Sequence, residues 1–332
     1  MTNRIPLSVL DLVPIGEETD AATALAASVD LAKQAEAMGH RRYWVAEHHN
    51  MPGIASSAPA VLIARLAAAT ETMHIGSGGV MLPNHPPLVV AEQFGMLTAM
   101  FPGRVDLGIG RAPGTDPVTA RALRRSAGPL SVEDFPAQLD ELCGYFDGQP
   151  ENLVNAVPAA GNRPEIWLLG SSGYSARLAA RLGWPFAFAH HINPLDAAAA
   201  IALYRHEFRS SSILDSPHAM LCTSVVCARD TEHARYLAGP LALSRLNLRR
   251  GKPKPLASPK TAAQLEHNSI EQTIIDEAMA TITLGDQATV AKRLSELVER
   301  TGADELMVTS MLADPADRLT SHSLVAEAMA AR

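Results

Sequence analysis

Residues 42–50 read RYWVAEHHN, an apolar and aromatic run that stops in a carboxylate, two imidazoles and an amide. In a parallel α/β protein the carboxyl end of a strand is where ligands are met. Glu47 and His48 are therefore candidate catalytic residues, because an imidazole titrates near neutral pH and can move protons. A histidine satisfied within a hydrogen-bonded loop is the alternative, but Glu-His-His-Asn at a strand end favours function.

Three further stretches carry chemistry. Gly108, Gly110 and Gly114 resemble a dinucleotide fingerprint, but the spacing is GxGxxxG and Pro113 stands where a helix should open, so a nicotinamide site is not expected. What remains is a glycine-rich turn that sets Arg111 at a strand end, where its fork suits a phosphate. Residues 170–176, GSSGYSA, place Ser171, Ser172, Gly173, Tyr174 and Ser175 between a strand and a helix. Hydroxyls and free N–H groups at a helix start suit an anion. A serine helix cap would need only one of them. Ser77, Gly78 and Gly79 lie inside a strand, where glycines mark a bulge or a close approach of ligand to backbone.

A metal centre is the weaker reading, and none is assigned. His48-His49 and His190-His191 are adjacent pairs, and neighbours on a strand point to opposite faces, so each pair offers at most one ligand. The early strand lacks the clustered ligands of a barrel metallohydrolase.

These residues need a frame to hold them. Apolar runs at 5–12, 42–46, 73–82, 104–109, 165–169, 185–189, 219–228 and 305–311 read as strands. Helical spacing appears at 20–38, 57–70, 86–100, 132–146, 174–182, 194–208, 231–248, 286–301 and 315–330. Eight strands alternating with helices predict a (β/α)8 TIM barrel, spanning 1–332 as a single domain, in preference to an open doubly wound sheet. Residues 251–277 break the rhythm with three prolines and three lysines in ten positions. They are expected to be a flexible segment near the mouth, either a lid or a solvated linker.

The 332 residues are 47% hydrophobic and 19% charged, ordinary for a soluble protein with a large core. A net charge of −7 with both signs interspersed argues against a nucleic-acid partner. No apolar run reaches the length of a membrane span, and no signal peptide is evident. Cys143, Cys222 and Cys227 are few and scattered. A cytoplasmic location is expected.

Taken together, PLSVLDLVP, RYWVAEHHNMPGIASSAP, IGSGGVMLPNHPPLVVAEQFGMLTAMFPGRVDLGIGRAPGTD, WLLGSSGYSARLAARLG and GADELMVTSM resemble the bacterial-luciferase-like flavin monooxygenases over nearly the whole chain. The closest likeness is to single-chain members of the general oxidoreductase class. The resemblance implies reduced FMN bound across the barrel mouth and used with O2 to oxygenate a small organic substrate. His48 matches the family's active-site histidine, with Glu47 beside it. Gly78-Gly79 matches a bulge, often with a non-proline cis peptide, against which the flavin ring packs. Arg111 and the 171–175 loop match the phosphate clamp. Reduced flavin would come from a separate NAD(P)H:flavin reductase, and a homodimer is expected. The apolar helices APAVLIARLAAAT and PLVVAEQFGMLTAM also suggest such an assembly. Where light-emitting members carry a reactive cysteine before the matching arginine, this chain has Gly110, so luminescence is not carried over. The alternatives are a deazaflavin-dependent hydride-transfer enzyme of the same fold, a barrel metallohydrolase with His48 as a ligand, and a non-catalytic flavin-binding protein.

Overall fold

The computed structural model describes residues 4–112, 116–123, 134–148 and 154–331. Its strands are β1 (Leu7–Asp11), β2 (Arg42–Val45), β3 (His74–Met81), β4 (Val105–Gly110), β5 (Glu165–Gly170), β6 (Phe186–Ala189), β7 (Ala219–Cys227), β8 (Thr283–Gly285) and β9 (Glu305–Thr309). The order β6-β5-β4-β3-β2-β1-β9-β7 is parallel throughout, and β6 also pairs with β7, which closes an eight-stranded barrel. These eight are the predicted strands. The ninth, β8, was not foreseen; it lies outside the barrel and pairs only with the end of β7, at Val225–Cys227. Three residues are too short to show a period.

Helices cover the barrel: α1 (Ala21–Ala37), α2 (Pro59–Ala67), α3 (Pro87–Met100), α4 (Pro117–Leu123), α5 (Phe135–Phe146), α6 (Gly173–Leu182), α7 (Ala197–Glu207), α8 (Thr231–Arg249), α9 (Pro259–Gln264), α10 (Ser269–Ala280), α11 (Gln287–Thr301) and α12 (Pro315–Ala330). Aspartate side chains start several of them. Asp20, Asp230, Asp286 and Asp314 each accept a first-turn N–H, which satisfies donors the helix leaves free. Gly183 and Gly302 end α6 and α11 at φ of 65° and 67°, a region open to glycine. The first two residues predicted for helix 132–146, and Pro113 and Gly114 of the glycine-rich turn, lie outside the described residues.

The expectation of a flexible segment at 251–277 is corrected. Those residues form α9 and most of α10, both packed on α8. Ser258 caps α9, and Asn268 with Glu271 forms a reciprocal capping box on α10. Leu256 is buried and pairs with the loop after β1: its N–H donates to the Ile15 carbonyl at 2.9 Å. Glu17 accepts from Ser258 N–H and the Thr261 hydroxyl at 2.8 and 2.7 Å. The cluster of prolines and lysines at its start hid these caps.

A charged cluster closes the amino end of the barrel. Arg42, 1% exposed, donates to Asp106 at 2.7 Å, Glu165 at 3.1 Å and Glu305 at 3.3 Å. Trp44 Nε1 reaches Asp106 and Trp167 Nε1 reaches Glu165, both at 2.8 Å. Above this layer, Leu10, Trp44, Ala46, Ala187, Cys222 and Met307 line the floor of a cavity that opens at the carboxyl ends of the strands. Among the described residues, no helix is long and apolar enough to cross a membrane.

Candidate active site

The cavity holds about 990 Å³ of free space, counting its open mouth. It gathers His48, Gly78, Gly79, Arg111, Ser171, Ser172 and Ser175 from the ends of four different strands. His48 stands just beyond β2. Its loop is stapled from behind: His48 N–H donates to the Ser56 carbonyl at 2.9 Å, and the Ser56 hydroxyl donates to the Ala46 carbonyl.

Glu47 turns the other way and does not line the cavity. Its side chain is sealed, and one oxygen meets His85 Nε2 at 2.8 Å and His49 Nε2 at 3.0 Å. The other accepts the Met81 N–H at 3.1 Å. Burial alone would raise its pKa, but the hydrogen bonds from His85, His49 and Met81 hold it below the ordinary carboxylate value. Glu47 is thus an ionised hub that ties the end of β2 to the end of β3. The donor atoms of Glu47, His49 and His85 lie close enough to bind a cation, as do those of His74, Asp106 and Glu165 at the opposite barrel end; His48 belongs to neither group.

On β3 the register with β4 shifts between Gly78 and Val80, and the Gly78-Gly79 peptide is cis. A Cβ on Gly78 would come within 2.7 Å of Leu10 Cδ1, and one on Gly79 within 2.7 Å of the Gly108 carbonyl. The wall there is bare backbone because no side chain fits. Ser77 stays behind that wall, buried, with its hydroxyl on the Gly108 carbonyl at 2.9 Å.

Arg111 and the serines make the polar end. The Arg111 guanidinium sits 4.0 Å from the centre of the Tyr174 ring, an attractive cation–π stack. Tyr174 and Gly173 themselves lie outside the lining. Ser172 occupies the position before α6, yet its side chain makes no capping hydrogen bond. Ser175 is 7% exposed, and no described residue hydrogen-bonds its hydroxyl. Gly170 is needed here, because a Cβ would lie 2.2 Å from Ser175 Oγ. Two hydroxyls and the first-turn N–H groups of α6 therefore converge, uncommitted, beside a cation. That donor set fits a phosphate.

The sequence reading missed His191, which lines the cavity after β6. The repeat of a histidine pair at a second strand end was the available signal. Its neighbour His190 reaches instead to Thr223 Oγ1 at 3.0 Å. Cys222 also reaches the cavity, from β7; burial pushes its thiol pKa far up, so it stands as an unreactive thiol.

Comparison with known proteins follows the same lines. The family model for luciferase-like monooxygenases matches residues 5–305. A luciferase-like monooxygenase of Escherichia coli is 45% identical over 326 residues, covering 98% of this chain and 97% of its own. The crystal structure of apo-MsnO8 superposes with a TM-score of 0.88 at 35% identity, covering 98% of both chains. At 18% identity, the FMN complex of the oxygenating constituent of 3,6-diketocamphane monooxygenase from Pseudomonas putida shares the fold with a TM-score of 0.72, covering 99% and 98%. So does an F420-dependent secondary alcohol dehydrogenase, with a TM-score of 0.72 at 15% identity, covering 98% and 99%.

Proposed function

Because the chain belongs to the luciferase-like monooxygenase family, we propose that it is an FMN-dependent monooxygenase, using reduced FMN and O2 to oxygenate a small organic substrate. The observation that carries this reading is the uncommitted donor set beside Arg111, in one cavity with a wall of bare backbone. Arg111, Ser171, Ser172, Ser175 and the start of α6 would hold the phosphate, with Gly173 giving the turn and Tyr174 backing the guanidinium. Gly78 and Gly79 would lie against the flat ring, with Ser77 anchoring their strand. When bound, reduced FMN supplies the electrons that activate O2 for oxygen transfer; the protein supplies orientation, dryness and proton handling.

His48 is the proton-transfer group, the role its place in the cavity allows. Glu47 works through others: it holds the His48 loop against the Met81 end of β3, so it positions the imidazole rather than touching the reactants. The apolar floor, with Leu10, Trp44 and Met307, keeps water from the reacting atoms. The whole chain acts as one barrel domain and pairs as a homodimer, through a face where Val61, Met96 and Met100 are 74%, 53% and 52% exposed. A separate NAD(P)H:flavin reductase feeds it, since the glycine-rich turn lacks a nicotinamide spacing. The F420-dependent neighbour supports a second reading, hydride transfer to a deazaflavin at the same donors.

The test is turnover under isotopically labelled dioxygen with chemically reduced FMN and a panel of small thioethers, ketones and alcohols. One labelled oxygen atom in an organic product is expected. A product that has lost hydrogen without gaining label would overturn the reading.

A further inference from the structure

We infer that His191 is the acceptor for a hydrogen-bond donor on the organic substrate, an O–H or N–H borne by an otherwise apolar molecule. The inference rests on the reading of this cavity as the flavin and substrate site. Around the closed sheet, β6 is four strands from β2 in either direction. His191, just after β6, therefore stands across the mouth from His48 and away from the Gly78–Gly79 wall.

The ring's tautomer is fixed by its surroundings. His191 Nδ1 lies 3.2 Å from the Cys222 carbonyl. A carbonyl can only accept, so Nδ1 carries the hydrogen, and in the neutral ring Nε2 keeps a bare lone pair. No described residue hydrogen-bonds Nε2, and the ring lines the cavity. The ring also stays neutral: burial, with Arg245, His190 and His48 nearby, pushes its pKa down to about 4. A lone pair of this kind attracts a neutral donor and repels a carboxylate.

The loop that carries it is braced on three sides. His191 N–H donates to the same Cys222 carbonyl at 3.1 Å, and Arg245 Nη2 donates to the His191 carbonyl at 3.1 Å. Asn193 Nδ2 reaches the Ser171 carbonyl at 3.0 Å, tying this loop to the phosphate-type donors. The cavity that the ring lines has an apolar floor, with Leu10, Ala187 and Met307. An acceptor held this firmly among apolar groups discriminates strongly, because an analogue without a donor leaves it buried and unpaired.

Two isomers serve as probes: hexanol, which donates an O–H, and methyl pentyl ether, which cannot. Titration calorimetry would be run on the protein with and without saturating FMN. Wild type should bind hexanol about tenfold more tightly than the ether. His191→Phe, which keeps an aromatic ring and leaves the Cys222 carbonyl its bond from the His191-position N–H, should bind the two alike. His191→Gln, which restores an acceptor, should recover part of the preference. Equal binding in wild type, a preference that survives in His191→Phe, or binding of neither isomer would overturn the inference. Should His191→Phe not fold, the wild-type and His191→Gln ratios still decide. Failure to bind FMN, with the alcohol preference intact, would count against the flavin reading alone.

Discussion

Replacing Arg111 by alanine removes the cation from the polar end of the cavity. Among the described residues no carboxylate pairs with this guanidinium, and its flat face rests on Tyr174 at 4.0 Å. No described carboxylate therefore competes with a ligand for its charge. A hydrogen bond to a charged group contributes about 1.5–3 kcal/mol, so Arg111→Ala should weaken FMN by roughly ten- to a hundredfold. Arg111→Lys keeps the charge but loses the fork and the stack, and should fall between. Ser175→Ala removes one neutral donor worth about 0.5–1.5 kcal/mol, roughly a twofold to tenfold loss. The assay is quenching of flavin fluorescence on titration with each protein. Riboflavin, which lacks the phosphate, supplies the control: its affinity should not change in Arg111→Ala. Equal FMN affinities, or an equal loss for FMN and riboflavin, would refute the assignment of this end to the phosphate.

Three other outcomes follow from the geometry. His48→Ala should leave FMN affinity nearly intact and slow flavin-dependent turnover by roughly two to four orders of magnitude, whereas His49→Ala should affect stability more than rate; the reverse pattern in steady-state assays would show that the wrong imidazole was chosen. Burial alone would raise the pKa values of Asp106 and Glu305, but Arg42, His74 and His218 hold them below 3.8 and 4.5. They therefore stabilise the fold above those values, and the contribution is lost as pH falls through the folded pKa values. Arg42→Met strands two buried carboxylates, should cost about 3–5 kcal/mol, and should reverse that slope, so that urea midpoints rise on acidification; an unchanged slope would contradict the account of the cluster. Light scattering at micromolar concentration should give twice the 35.3 kDa of one chain, and Met96→Glu with Val61→Glu should return the monomer; a wild-type monomer would remove the homodimer from the proposal.

The barrel was legible because period and alternation repeat eight times, with each strand ending in turn or cap residues. RYWVAEHHN marked the mouth correctly in that His48 lines it, but the sequence could not say that Glu47 would turn back onto His85, thirty-eight positions away. Long-range partners leave no local period. Ser172 illustrates the converse case: at its position a helix cap and a ligand donor look alike in sequence, and only the missing capping bond separates them. The 251–277 segment was misjudged because Lys and Pro dominate its first ten residues, while the capping residues Ser258, Asn268 and Glu271 follow further on. His191 escaped notice because the His190-His191 pair was weighed only as metal ligands.

The central claim, that the cavity is built for a flavin used with oxygen, is tested most directly by titrating the protein with FMN and with the deazaflavin coenzyme F420, each alone and in competition. FMN should saturate at one per chain and be displaced only weakly by F420, with the flavin spectrum perturbed on binding. Tight binding of F420 that excludes FMN would contradict the account and favour hydride transfer without oxygen.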